Sequence, residues 1–90
     1  MNLVQESYGY RALAASGQVA TGAGVLKGFY VSTSTSLTVK IWDNTAASGA
    51  VILETTAPLT AGTFHEVPAG FATGLFVTLG GTGTITVFYA

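Results

Sequence analysis

The chain has 90 residues, no cysteine, one histidine, three basic and four acidic side chains, and a formal net charge of −1. That is enough for one domain; it excludes disulfides, leaves too few carboxylates and imidazoles for a structural metal, and offers no basic stripe for nucleic acid. Charged residues make up 8% of the chain and hydrophobic ones 49%, against about 25% charged in an ordinary soluble domain.

Segment 1–17 comes first. It carries Leu3, Val4, Tyr8, Tyr10 and Leu13 ahead of any clear strand pattern. Gly9 interrupts a helical period, so we read this segment as an N-terminal arm, extended or briefly helical. It is too apolar for a solvated tail and is expected to bury its aromatics on a neighbour. The opening "MNLVQESYGYR" lacks the basic-then-apolar pattern of a leader, which points to synthesis in the cytoplasm. No apolar run reaches the length of a membrane span.

The remainder, 18–90, reads as a β domain. Thr, Val, Ile, Phe and Tyr dominate, with Gly or Pro at short intervals, the pattern of a sandwich or barrel. Strands are expected over 18–21, 25–33, 37–43, 51–56, 63–67, 75–79 and 84–89. Alternation sets Leu37, Val39 and Ile41 against Thr38, Lys40 and Trp42, and Ile85, Val87 and Tyr89 against Thr84, Thr86 and Phe88. Side chains alternate faces along a strand, so the aliphatic sets are the inner faces. Trp42, Phe88 and Tyr30 are then large groups for a solvent side, a hint of contact between molecules. The Ser/Thr run at 32–36 and "LGGTGT" read as loops, as do "DNTAASG", "APLTAG" and "VPAGFATG". In "DNTAASG", Asp43 and Asn44 open the connection and Gly49 closes it, as turn chemistry predicts.

Candidate chemistry is thin. His65 has no recognisable nucleophile or orienting carboxylate, and no G-x-S-x-G elbow is present; it reads as a strand histidine pointing to the opposite face from Glu66. "TGAGVLKG" leads into a strand rather than a helix, so it lacks the helix N-terminus of a phosphate cradle. Asp43, Glu54 and Glu66 are scattered where a calcium site needs a cluster of oxygen ligands. No enzymatic activity, cofactor or metal is expected. Trp42, Tyr8, Tyr10, Tyr30 and Tyr89 are rings that stack on sugars, but aromatics also anchor protein interfaces, and few polar groups are present to orient a sugar. The expected interface residues are Leu3, Val4, Tyr8, Tyr10, Tyr30, Trp42 and Phe88.

From residue 24 onward, "GVLKGFYVSTSTSLTVKIWDNTAASGAVIL" and "PLTAGTFHEVPAGFATGLFVTLGGTGTITVFYA" carry a resemblance. The order is a glycine-started strand, an apolar residue before "WDNTAASG", an L-x-A-G turn, and F-x-T-G-L-F-V-x-L-G-G-T-G-x-h-T-V with h apolar. It resembles small virion accessory proteins of tailed bacteriophages. The resemblance implies a capsid decoration (cement) protein on the virion surface, assembled in the host cytoplasm. Its implied partners are the major capsid protein and itself. A trimer is favoured because capsid lattices offer three-fold junctions; nucleic acid and membrane are not expected partners. The alternative is a carbohydrate- or receptor-binding module of a phage tail or fibre. The fold expected is all-β: a compact antiparallel β-sandwich, of jelly-roll type or similar, with an N-terminal arm.

Overall fold

The computed structural model describes residues 9–90. Every regular element among them is a strand: β1 (Gly9–Leu13), β2 (Gly17–Thr21), β3 (Gly24–Asp43), β4 (Ala50–Glu54), β5 (Thr63–Phe71) and β6 (Gly74–Tyr89). They form one antiparallel sheet with the order β1-β6-β3-β4, in which β2 also lies on β6 and β5 also lies on β3. The β3–β6 pair is the spine. Its one half, with β1 and β5 on its flanks, makes a four-stranded first layer; its other half, with β2 and β4, makes the second.

The layers face each other because both halves of each spine strand turn apolar residues inward at every second position, with one step of three from Leu26 to Phe29 where the register shifts. Leu26, Phe29, Val31, Ile85 and Val87 come from the first layer, and Leu37, Val39, Ile41, Leu75 and Val77 from the second; all ten are fully buried in one cluster. Sandwich cores are built this way, from the inner faces of two sheets. The all-β sandwich expected from composition is therefore the fold.

The bend between layers is where the structure departs from the sequence reading. Segment 32–36 and "LGGTGT" are strand, not loops. The two expected strands 25–33 and 37–43 are the single element β3, and 75–79 and 84–89 are the single element β6. Thr33, Ser34 and Thr35 pair with Thr84, Gly83 and Thr82 through the corner. Shifts of register at Val31/Thr33 and Thr35/Thr38 bracket it, and each leaves one more residue on β3 than on β6. A bulge bends and twists its strand, and one alone would turn every later side chain to the other face. Two cancel, so 29 and 31 before the corner and 37, 39 and 41 after it all point inward.

Small polar residues suit the corner because their hydroxyls meet backbone groups that a bent ladder leaves free. Thr33 Oγ1 accepts from the Thr84 N–H at 3.0 Å, Ser34 Oγ donates to the Leu59 carbonyl at 2.6 Å, and Ser16 Oγ accepts from the Leu79 N–H at 2.9 Å. The expected turn "VPAGFATG" is likewise mostly strand, since β5 runs on to Phe71. Pro68 is tolerated there because β5 is an edge strand.

Segment 1–17 is described from Gly9, and from there it belongs to the sheet. β1 pairs residue for residue with β6 from Gly9↔Tyr89 to Leu13↔Ile85, and Leu13 enters the core. Only one apolar residue of β1 points inward, which is why no strand pattern was legible. Among the described residues there is no helix long and apolar enough to cross a membrane.

Candidate functional site

The ladders sort the exposed side chains onto two outer faces. On the first layer, Tyr10 lies opposite Phe88, and Tyr30 opposite Phe64. The Phe64 and Phe88 rings, on β5 and β6, meet at a centroid distance of 6.1 Å over Gly28, which pairs with Phe88 on the strand between them. An aromatic band thus crosses all four strands, β1-β6-β3-β5. Val25 extends it, pointing away from the buried Leu26.

Exposure is one-sided. Among the described residues, the large hydrophobic side chains left open are Tyr10 (71% exposed), Phe64 (53%), Val51 (44%), Val25 (41%) and Tyr30 (39%). All but Val51 stand on the first layer. An exposed apolar patch of this kind, gathered on one face, marks an interaction surface.

The opposite face is finished differently. Trp42 and Lys40 are on the second layer, opposite Phe76 and Thr78. The Trp42 indole N–H donates to Thr78 Oγ1 at 3.0 Å, and the Lys40 ammonium lies 4.4 Å from the Trp42 ring centroid and 3.9 Å from the Glu54 carboxylate. The ring has a cation on one side and its donor satisfied, leaving little of it for a ligand. Of the expected interface residues, Tyr10, Tyr30 and Phe88 are brought together, Trp42 is on the far side, and Leu3, Val4 and Tyr8 lie outside the described residues. Phe64 was missed; its alternation with His65 and Glu66 was the signal that could have found it.

Each edge strand carries a device against strand addition. β2, β4 and β5 each hold an extra residue against their partner. β5 adds Pro68, and the Gln18 side chain of β2 bonds to Thr21 Oγ1 at 2.9 Å along its own strand. β1 has a regular register but sets the charged Arg11 opposite the inward Val87.

Asp43 is a structural group. It ends β3 and accepts backbone N–H bonds from Thr73 at 2.9 Å and Ala72 at 3.0 Å, with Gly74 at 3.5 Å. Three successive N–H groups form an anion nest, and this nest is filled by the protein's own carboxylate. It ties the end of β3 to the turn that carries the chain from β5 in one layer to β6 in the other. Asn44 stiffens the adjoining loop, its Nδ2 donating to the Ser48 carbonyl at 2.8 Å while Oδ1 accepts from the Thr45 N–H at 2.8 Å.

The bonds from Thr73, then Ala72 and Gly74, hold the Asp43 carboxyl below the usual aspartate range, against a smaller opposing effect of desolvation. A depressed folded-state pKa contributes stability that is present above the unfolded value and lost as pH falls through the folded one. The melting temperature of wild type should therefore exceed that of Asp43→Asn at neutral pH, and the gap should close on acidification below about pH 4. A gap unchanged from pH 7 to pH 2 would show that the charge contributes nothing.

His65 stands on the inner side of edge strand β5, stacked on Phe29 with ring centroids 4.9 Å apart. Thr63 Oγ1 donates to the Thr60 carbonyl at 2.6 Å and therefore accepts from His65 Nε2 at 3.0 Å. Glu66, one residue on, is opposite Gly28 on the outer side, as the alternation had placed it. The imidazole packs as part of the wall of the core. Among the described residues, no group of three or more His, Asp or Glu side chains converges on a point and the surface holds no pocket.

No protein-family model, no curated protein and no solved structure matches the chain.

Proposed function

We propose that this chain is a non-enzymatic structural protein of a virion: a decoration (cement) protein that binds the outer capsid, with copies of itself, and stabilises contacts between major capsid subunits. The observation that carries the reading is the one-sided aromatic face on a domain with so few charges. Such a face is suited to being covered by protein. The resemblance of residues 24–90 to phage virion accessory proteins supplies the setting.

Linkage explains how so small a protein would act. A ligand that binds only the assembled lattice stabilises it by mass action, and many copies multiply a modest affinity. The alternative, a carbohydrate-binding module of a tail or fibre, is less well supported. A sugar site needs polar side chains placed beside the stacking ring to orient hydroxyls, and the large side chains open on this face are Tyr10, Phe64, Tyr30 and Val25, with few such groups among them.

Quantitative protein profiling of purified virions tests the reading. A decoration protein should be present in numbers comparable to the major capsid protein, and stripping it should lower the temperature at which capsids rupture. A copy number like that of a tail fibre, or binding to a glycan array but not to capsids, would overturn it.

A further inference from the structure

We propose that the outer face of the first layer is covered by a second copy of this chain, the two sandwiches packed face to face across a two-fold axis. The inference deepens the self-association included in the proposed function and rests on the chain being a binding module.

Size is the first argument. Four strands about 4.8 Å apart, contributing from five residues (β1) to nine (β5) of about 3.3 Å each, give a face of roughly 430 Å² in projection. Side chains standing on it raise the accessible area toward the about 800 Å² per partner of a standard interface. One whole face of this sandwich is therefore what one partner of a stable pair must bury. The exposed parts of Tyr10, Phe64, Tyr30 and Val25 lie within it, and aromatic residues clustered in an interface carry most of its binding energy.

Charge is the second. The ladder places the acidic Glu66 on this face, but on edge strand β5 and so at the rim. A second copy brings an identical face, with apolar groups at its centre and Glu66 again at its rim. Lys27, on the inner strand β3 beside Gly28, is half-buried and already engaged within its own chain, so pairing leaves it no bare charge at the middle of the contact, the situation that makes an interface unfavourable. A net charge of −1 per chain adds little repulsion between copies.

Geometry is the third. Strand addition at the edges is impeded by the extra residues of β2, β4 and β5 and by Arg11 of β1, so association is left to the face. A flat face that covers itself closes on a two-fold axis. Copies therefore pair, where the capsid setting had led to an expectation of threes. A pair presents its two Lys40–Trp42–Thr78 faces outward in opposite directions, giving two identical surfaces with which to bridge neighbouring subunits.

Sedimentation equilibrium of the full chain, from low to high micromolar concentration, tests this with Phe64→Glu, Tyr10→Glu and the opposite-face control Val51→Glu. Circular dichroism establishes that each variant is folded. Wild type and Val51→Glu should sediment as two copies. Phe64→Glu and Tyr10→Glu should weaken pairing at least about thirtyfold, the effect of removing one strong interface anchor. A wild type that stays monomeric at the highest concentration overturns the inference, as does a closed trimer. So does Val51→Glu disrupting association as strongly as Phe64→Glu. Capsid binding measured on the same samples separates the two claims. A monomer that decorates capsids overturns the pair and spares the proposed function; a pair that never binds capsids does the reverse.

Discussion

Phe29→Ala should lower the melting temperature by about 15–30 °C, measured by circular dichroism on dilute protein. Phe29 is fully buried at the middle of the first layer, between Val87 on β6 and His65 on β5, with its ring stacked on the imidazole. Truncating a buried phenylalanine costs about 3–5 kcal/mol, counting lost transfer energy and the cavity left behind. Each kcal/mol moves the transition of a domain this size by about 4–8 °C. Total stability is roughly 0.05–0.15 kcal/mol per residue, so the substitution removes a large share of it. Val51→Ala, on the exposed face of the second layer, is the comparison and should change stability by about 0.5 kcal/mol or less. Equal effects from the two would mean that the core is not centred where the spine places it.

Gly81→Ala should cost about 2–4 kcal/mol by urea denaturation. Gly81 has φ of +74° and lies where β6 rounds the corner. A Cβ there would run into the Ser36 carbonyl oxygen of β3. Two effects add: the left-handed conformation, which costs an L-residue about 1–2 kcal/mol, and displacement of the paired strand. Gly22→Ala separates them. Gly22 has φ of +80°, but nothing lies within 4 Å of the added methyl, so it should lose only the conformational share. If the two variants are equally stable, the corner gives way freely and the close approach of the strands has no energetic consequence.

The core experiment tests the two-layer arrangement, and the corner experiment tests how the layers are joined. The pairing experiment tests what covers the aromatic face. A stable monomer would leave the first two untouched, because the ten fully buried spine residues are internal to one chain.

The all-β class was legible in the amino-acid sequence, and so was the inner face. Alternation at Leu37-Val39-Ile41 and at Ile85-Val87 reports a period of two directly, and these residues are the core. His65 and Glu66 on opposite sides follow from the same period. The outward positions of Tyr30, Trp42 and Phe88 were legible too.

What only the tertiary structure decided is how far the strands run and which outward residues share a face. Ser, Thr and Gly at 32–36 and 80–84 read as loops because their local chemistry favours turns. Pairing with each other keeps them in the ladder, and two compensating bulges bend it without turning the side chains over. The period of two says that Trp42 and Tyr30 both point away from the core, but it does not say that the sheet doubles back between them. That fold-over puts Tyr30 with Phe64, Phe88 and Tyr10 on one side of the sandwich and Trp42 on the other. β1 stayed hidden for a related reason: an edge strand with one inward apolar residue, Leu13, has too little alternation to register. Asp43 was visible as a turn residue, but its partners at 72–74 are some thirty positions away, and no local pattern encodes a contact made by bringing two distant turns together.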